Sequence, residues 1–311
     1  MSAGTSGIHH VTAISGGPQR NVDFYAGVLG LRLVKKTVNF DDPGTYHLYY
    51  GDGGAAPGTI LTFFPWEHAA PGQLGAGEAL ETVFRVPGDA IGFWAGRLGV
   101  RPGKRFGETV LTFTDPDGMR LAITGVPGIE AEPAWQTDGI GAGHAIRGFH
   151  GVGLNLADAG PTGAILTDVF GFARTGQDGD VVRFQVGAAG AGAAQVGGTV
   201  DIRIAPHAAR GQQGAGSVHH IAFRAADDAG QAAMVRRLAE HHRIATTEQK
   251  DRNYFRSVYF REPGGVLFEI ATDIPGFAVD EPAAKLGQAL KLPPSLEPRR
   301  AELERRLPAL D

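Results

Sequence analysis

The chain has 311 residues, enough for one large or two ordinary domains with a substantial core. Hydrophobic residues make up 42% and charged residues 20%, and the formal net charge is −4, a balance that argues against nucleic acid or a membrane as a partner. There is no cysteine, which excludes disulfides, thiolate catalysis and sulfur-ligated metal. Because no apolar run approaches the roughly 20 residues needed to cross a bilayer and no signal sequence is evident, we expect a cytoplasmic protein.

Four copies of one unit follow each other along the chain, near residues 8–66, 80–126, 148–206 and 218–273. The first and third begin with "IHHVTAIS" from Ile8 and "FHGVGLNL" from Phe149, apolar runs that predict a strand, followed by a polar turn and an amphipathic helix. The second and fourth end with "FTDPDGMRLAIT" from Phe113 and "FREPGGVLFEIAT" from Phe260, each predicting two strands around a Pro/Gly turn. We therefore predict an α+β fold of four βαβββ modules paired into two barrel-like domains.

The order of the modules suggests where the domains divide. We expect an N-terminal domain of residues 1–140 and a C-terminal domain of residues 141–275, each with two modules. Residues 276–311 should form a C-terminal tail with a helix on the surface, because the Pro-Pro break in "ALKLPPSLEPRR" precedes a charged segment.

The first predicted strand contains two adjacent histidines, His9 and His10. Neighbouring residues of a regular strand point to opposite faces, so one imidazole should face the interior, where it needs a partner. A lone histidine on an apolar strand is more often a core residue than a ligand. The pair by itself therefore does not define a site.

Alignment of the copies with each other shows where one of them is specialised. His10 aligns with Gly151, and Glu269 aligns with Ala122. In the same way His220 of "VHHIAF" aligns with Glu81 of "LETVF". The distinctive residues of the first and last copies are thus two histidines and one carboxylate.

Glu269 is the hardest of the three to explain as a structural residue. It lies between Phe268 and Ile270 on a predicted strand, and a buried, unpaired carboxylate is strongly destabilising. Two neutral imidazoles and one carboxylate, with other positions left open, form the facial arrangement that holds non-heme Fe(II) for oxygen chemistry. The three residues together predict a metal site.

The repeated module with "HHVT", "VHHIAFR" and "LFEIATD" resembles the vicinal oxygen chelate superfamily, which includes glyoxalases, bleomycin resistance proteins and dioxygenases. The longer stretches "RLVKKTVNFDDPGTYHLYYGD", "PGTILTFFPW" and "DRNYFRSVYFREPGG" resemble its hydroquinone-type, ring-cleaving extradiol dioxygenases. This resemblance implies opening of a hydroquinone or catechol ring with incorporation of both atoms of O2. The implied partners are a small aromatic substrate and O2, and the implied cofactor is Fe(II), with Mn(II) as an open alternative.

The resemblance also implies roles for individual residues. The metal ligands would be His10, His220 and Glu269. The active site would be lined by five further residues: His9, Thr12, His219, Arg252 and Tyr259. Of these, Arg252 would balance negative charge, and Tyr259 or one of the first histidines of the two pairs would move the phenolic proton. His47 and His150 are expected to be structural.

Two other classes of function stay open at this point. One is a glyoxalase-like metal-dependent isomerase or thiol transferase, although such an isomerase should supply a fourth ligand and Thr62 stands where a second glutamate would be expected. The other is a non-catalytic protein that binds aromatic compounds, which would have no need for both histidines and Glu269. Nothing in the sequence specifies the number of subunits, and a homo-oligomer is compatible with it.

Overall fold

The computed structural model describes residues 7–187 and 195–310, and these form sixteen strands and five α-helices. The first module consists of β1 (Ile8–Ser15), α1 (Pro18–Val22), which a π-helical segment (Asp23–Val28) continues, β2 (Arg32–Val38), β3 (Tyr46–Gly51) and β4 (Ile60–Pro65). The second consists of β5 (Glu78–Pro87), α2 (Ile91–Leu98), β6 (Gly103–Arg105), β7 (Glu108–Thr114) and β8 (Arg120–Val126). Each unit is one strand, one helical segment and three further strands, as predicted.

The other two modules repeat this order. The third consists of β9 (Phe149–Leu156), α3 (Gly160–Asp168), β10 (Ala173–Asp178), β11 (Val181–Gln185) and β12 (Thr199–Ile204). The fourth consists of β13 (Val218–Ala225), α4 (Asp228–His242), β14 (Lys250–Asp251), β15 (Phe255–Arg261) and β16 (Leu267–Pro275). The predicted α+β fold of four βαβββ modules is confirmed.

The strands form two curled, eight-stranded sheets. The first sheet has the order β14-β15-β16-β13-β1-β4-β3-β2, and the second has the order β10-β11-β12-β9-β5-β8-β7-β6. In each sheet the first strands of two modules pair antiparallel at the centre, β1 with β13 and β5 with β9. The central strands β1 and β9 are buried along their whole length, which agrees with the apolar residues on both faces of each strand.

The pairing of the modules differs from the predicted one. The first module shares a sheet with the fourth and the second with the third, whereas a division near residue 140 pairs the modules in chain order. Two linkers make this possible, because the segments 66–77 and 205–217 run alongside each other between the sheets and form bridges such as Gln73–Gln212. The repeat could not predict this choice, since every module presents the same kind of first strand to a partner.

The tail packs on the outer strands of the first sheet. Leu290 forms a β-bridge with Lys36 of β2, and the Tyr46 hydroxyl donates a hydrogen bond to the Pro308 carbonyl. The helix α5 (Arg300–Arg306) lies near the end of the tail and buries Leu303. Within the described residues, no helix is both long and apolar enough to cross a membrane.

Candidate metal centre and active-site cavity

Three neighbouring strands of the first sheet bring His10, His220 and Glu269 together. Their potential ligand atoms all lie within 4.8 Å of one another, and all three side chains are buried. Oε2 of Glu269 is 2.9 Å from Nε2 of His220 and 3.4 Å from Nε2 of His10. The two imidazoles come from the first and fourth modules, so the site exists because these modules share a sheet.

The register of the strands explains this convergence. His10 of β1 is level with Ala222 of β13, and Ala222 is level with Glu269 of β16. The small side chain of Ala222 leaves space for the imidazole and the carboxylate to approach each other above it. His220 precedes Ala222 by two residues and therefore projects from the same face of β13.

Both histidine pairs lie at β-bulges. Between β1 and β13 the register shifts once at His9, which is an extra residue of β1, and once at His219, which is an extra residue of β13. An extra residue breaks the alternation of a regular strand. The expectation that His9 and His10 face opposite sides is therefore wrong, because their Nδ1 atoms lie 2.9 Å apart, and those of His219 and His220 lie 2.7 Å apart.

These contacts orient the two potential imidazole ligands. When Nε2 of His10 or His220 offers its lone pair to a metal, Nδ1 carries the proton and donates it to the neighbouring histidine. Burial, together with the neighbouring imidazole of His10, keeps the pKa of His9 well below its ordinary value. Burial and the neighbouring His220 lower the pKa of His219 to about 3. Both neighbours are therefore neutral and able to accept.

The environment of Glu269 fits a bound cation. Its Oε1 accepts a hydrogen bond from the Ser257 hydroxyl, whereas its Oε2, although buried, has no hydrogen-bond partner among the described residues. Burial alone would raise the pKa of Glu269, but His10 and His220 hold it well below its usual range. The result is an ionised carboxylate with one oxygen free to bind a metal, and two imidazoles and a carboxylate are a common ligand set for divalent transition metals.

A cavity of about 470 Å³ opens directly in front of this centre. Its wall includes His10, His220 and Glu269 together with Thr12, His219, Arg252 and Tyr259. Phe40, Phe64, Trp66 and Phe255 add an aromatic lining. A mostly apolar cavity of this size with a few polar groups is typical of a small-molecule site.

Arg252 places a positive charge in the cavity wall, and Tyr259 lies beside it. Nε of Arg252 donates a hydrogen bond to the Tyr259 hydroxyl at 3.3 Å, and its Nη2 lies 3.2 Å from Oδ2 of Asp41 in the loop between β2 and β3. Tyr259 is directly opposite Glu269 in the sheet. Burial and the charge of Glu269 raise the pKa of Tyr259, so the phenol keeps its proton at neutral pH.

The structure thus brings together seven of the eight predicted site residues at the cavity wall. His9 is the exception, because it lies behind His10 and packs against Phe255 rather than lining the cavity. Of its two predicted roles, orientation of a ligand therefore agrees with its position better than contact with substrate.

His47, which was expected to be structural, and Tyr49, for which the sequence predicted no role, also line the cavity. Nε2 of His47 is 2.8 Å from the Thr62 hydroxyl, and its Nδ1 is 2.8 Å from the Tyr49 hydroxyl. The available signal was the spacing in "TYHLYY", which puts His47 and Tyr49 on one face of a strand.

The equivalent positions of the second sheet contain no comparable set of residues. Gly151 replaces His10, and a Cβ at this glycine would lie 2.0 Å from the Thr199 carbonyl oxygen, so no larger residue fits. Glu81, the counterpart of His220, is buried in an ion pair with Arg105. In the part of the chain that the structure describes, the first sheet alone offers a cluster of three or more potential ligands.

The chain belongs to the Glyoxalase/Bleomycin resistance protein/Dioxygenase superfamily, whose family model matches residues 7–123 and 148–270. The predicted superfamily is confirmed. A variant of glyoxalase I from Zea mays shares the fold alone, with 14% identity and a TM-score of 0.63 over 87% of this chain and 94% of that one.

Relatives with higher sequence identity indicate the class of enzyme within this superfamily. The chain is 47% identical to "Putative ring-cleaving dioxygenase MhqO" of Bacillus subtilis (strain 168), over 99% of this chain and 97% of the relative. It is 34% identical to chlorohydroquinone/hydroquinone 1,2-dioxygenase of Sphingobium indicum, over 96% of this chain and 95% of that protein. A crystal structure of a "putative dioxygenase" from Bacillus subtilis subsp. subtilis str. 168, 46% identical, superposes with a TM-score of 0.93 over 99% of this chain and 98% of its own. The prediction of an enzyme of the ring-cleaving dioxygenase class is confirmed by these relatives.

Proposed function

We propose that the protein is an Fe(II)-dependent, extradiol-type dioxygenase that opens the ring of a hydroquinone or a catechol. In this proposal His10, His220 and Glu269 bind the metal, and Thr12, His219, Arg252 and Tyr259 face the substrate. The observation that carries it is the convergence of two buried imidazoles and one buried carboxylate at the base of a cavity large enough for a substituted benzene ring. The name of the Sphingobium relative, which includes hydroquinone, supports this choice of substrate class.

Fe(II), when bound, would hold a phenolic oxygen and O2 side by side and let electrons pass from the ring to oxygen. Three protein ligands leave room for both partners, and holding them in one place removes much of the entropic barrier to their encounter. Both atoms of O2 enter the product, one carbon–carbon bond of the ring breaks, and the ring supplies the electrons. No external reductant is consumed.

The residues around the metal centre have separate tasks in this scheme. The Arg252 guanidinium stabilises negative charge that develops on substrate oxygen as the ring is oxidised. Tyr259 holds a proton at its hydroxyl, next to the same guanidinium, and can exchange it with the phenolic oxygen. The aromatic side chains Phe64, Trp66 and Phe255 hold the ring and exclude water from it.

Anaerobic reconstitution with Fe(II), followed by oxygen uptake and ultraviolet detection of the product, tests the proposal. The panel should contain catechol, hydroquinone and methylhydroquinone, and a parallel reconstitution with Mn(II) compares the two metals. We expect one O2 consumed per ring, and loss of activity once the iron is oxidised to Fe(III). Full metal loading without oxygen uptake on any of these compounds, together with turnover of a glutathione hemithioacetal, would instead support the isomerase alternative.

Alanine at His10, His220 or Glu269 should abolish both metal binding and oxygen uptake. The matched control is Glu81→Ala, which removes a buried glutamate of the second sheet whose partner is Arg105. This variant should keep its metal and its activity. Retention of tightly bound iron in the Glu269→Ala protein would refute the ligand assignment.

A further inference from the structure

A continuous row of hydrogen bonds runs along the cavity wall from Tyr49 to Thr12. The Tyr49 hydroxyl lies 2.8 Å from Nδ1 of His47, and Nε2 of the same imidazole lies 2.8 Å from the Thr62 hydroxyl. The Thr62 hydroxyl in turn lies 3.0 Å from that of Thr12. The row crosses β3, β4 and β1 and ends two residues from His10, level with His220 of β13.

The Tyr49 end of the row determines its direction. Tyr49 is 2% exposed, and its hydroxyl has one hydrogen bond among the described residues, the contact with His47. A buried hydroxyl that donates to nothing is costly, so the phenol donates to Nδ1. Burial raises the pKa of Tyr49 and lowers that of His47, so the phenol and the imidazole are both neutral.

The remaining protons follow from this first step. A neutral imidazole that accepts at Nδ1 carries its proton on Nε2, and it therefore donates to Thr62. The Thr62 hydroxyl then donates to Thr12, because its oxygen already accepts from His47. Thr12 accepts at its oxygen, and its own proton is left for the cavity, whose wall Thr12 forms in part.

We propose that Tyr49, His47 and Thr62 are positioning residues that hold the Thr12 hydroxyl as a hydrogen-bond donor toward an oxygen atom of the aromatic substrate. The identity of this acceptor rests on the proposed function, whereas the direction of the row does not. Without the three residues the Thr12 hydroxyl could rotate and turn its proton away from the substrate. The row thus converts a freely rotating group into a fixed donor beside the metal centre.

A comparison within the chain supports a link between this row and the site. By strand register, Thr12 corresponds to Gly153, Thr62 to Asp201 and Tyr49 to Arg183 in the third module. There Arg183 forms an ion pair with Asp201, and the glycine offers no hydroxyl. The module without a counterpart of His10 therefore also lacks the row.

Substitutions that break the row at different points test the proposal in the Fe(II)-loaded enzyme. Tyr49→Phe removes the first donor, and Thr62→Val removes the middle hydroxyl at nearly constant volume. Each should lower the turnover of the best dihydroxybenzene by about tenfold, less than the loss of a catalytic acid, because the Thr12 donor is misdirected rather than absent. The double variant should be no worse than either single one, since one break already frees Thr12.

Two further variants separate positioning from folding. Thr62→Ser keeps the hydroxyl and should retain near-normal turnover. Tyr50→Phe makes the same change on the next residue of β3, whose hydroxyl bonds Asn21 in the core, and should leave turnover unchanged. Additive losses in the double variant, or equal losses in Thr62→Ser and Thr62→Val, would overturn the proposal.

The direction of the hydrogen bonds in the row can be determined by NMR, without a measurement of enzyme turnover. In protein labelled with ¹⁵N-histidine, first metal-free and then with Zn(II) as a diamagnetic probe, the His47 signal should show the proton on Nε2. The signal is assigned by its loss in His47→Gln, and Tyr49→Phe should release the imidazole into a mixture of tautomers. A proton on Nδ1 of His47 refutes the inferred direction, whereas absence of wild-type turnover on every dihydroxybenzene refutes the proposed function alone.

Discussion

Nε2 of His220 faces Oε2 of Glu269 at 2.9 Å, and both side chains are buried. With the His220 proton on Nδ1, in contact with His219, two lone pairs face each other in a buried site. Two ligand atoms at right angles, each about 2.1 Å from one ion, are about 3.0 Å apart. The separation is thus the spacing that a shared cation requires.

Metal should therefore bind once per chain and stabilise the fold. A ligand that binds only to the native state raises the free energy of unfolding by RT ln(1 + [L]/Kd). This is about 2.7 kcal/mol when the ligand concentration is a hundred times Kd. We expect the thermal midpoint to rise on addition of Fe(II) or Mn(II) without oxygen and to fall with a chelator. Elemental analysis should give one equivalent.

Binding of a second metal ion in the second sheet would contradict this prediction. Two tightly bound equivalents would mean that Glu81 leaves Arg105 and that the third module contributes ligands that its glycines do not offer. If Glu81→Ala then lowered the count from two to one, the assignment of a single centre would be wrong.

Arg252 and Tyr259 should affect turnover far more than metal content. Tyr259→Phe removes the proton donor and Arg252→Met removes the positive charge, and each should lower kcat by about 100-fold, the usual size of a single proton-transfer or charge contribution. Iron content should remain near one equivalent. Steady-state oxygen uptake and elemental analysis on the same samples make the comparison.

Arg256→Met and Tyr46→Phe are suitable controls for these two variants. Arg256 lies on the same strand as Tyr259 and forms an ion pair with Asp228 of α4, and Tyr46 bonds the tail. Loss of iron in the Tyr259→Phe protein in parallel with its loss of activity would show that Tyr259 supports the metal rather than the substrate.

The sequence alone predicted the metal ligands because the four modules of the chain can be aligned with each other. A histidine aligned with Gly151 and a glutamate aligned with Ala122 stand out without any other protein. The same alignment also bore on module pairing, since His10 lies in the first module and Glu269 in the fourth, and a shared sheet brings residues of two modules together directly. The expectation of modules paired in chain order made no use of the expected ligand set.

Other features could not be predicted from single positions. The bulges at His9 and His219 depend on the register between β1 and β13, which are far apart in the chain, so alternation within "IHHVT" gives the wrong faces. His47 aligns with no distinctive counterpart, and its role follows from its distance to Thr62 on a neighbouring strand. Arg252 and Tyr259 were predicted as site residues only from the resemblance to ring-cleaving dioxygenases, because the periodicity of the sequence around them indicates no role.

Lys35 should be essential for attachment of the tail. It is fully buried on β2, and its ammonium group contacts the carboxylates of Asp280 and Glu281, while Asp280 also accepts from the Tyr254 hydroxyl. Lys35→Met would leave the buried Glu281 and the partly exposed Asp280 without their cation, which costs about 3–5 kcal/mol. Urea unfolding should show this loss, whereas Lys36→Met, at the neighbouring and less buried position, should change stability by less than about 1 kcal/mol. Equal stability of the two variants would contradict a structural role for the buried ion pair.

His150 should make the protein less stable in mild acid. It occupies the bulge of β9 that corresponds to His9, is buried, and has no hydrogen-bond partner on either nitrogen among the described residues. Burial is the main cause that lowers its pKa from 6.5 to about 4. The charged groups around it are Arg85, Arg105, Glu108, Arg183 and Asp201.

The sign of the effect follows from proton binding. Between pH 6.5 and about 4 the unfolded chain protonates this histidine and the native state does not, so stability falls as the pH falls through this window and the histidine contributes no further loss below it. The loss amounts to about 3 kcal/mol at most, since one pKa unit corresponds to 1.36 kcal/mol. Urea unfolding of the metal-free protein between pH 7.5 and 4 gives the free energy of unfolding as a function of pH. The slope of this curve should be smaller for His150→Leu than for the wild type, by the amount that corresponds to about one bound proton. His207→Leu, at an exposed loop position, should follow the wild type, and identical slopes for His150→Leu and the wild type would mean that His150 takes up its proton in the native state.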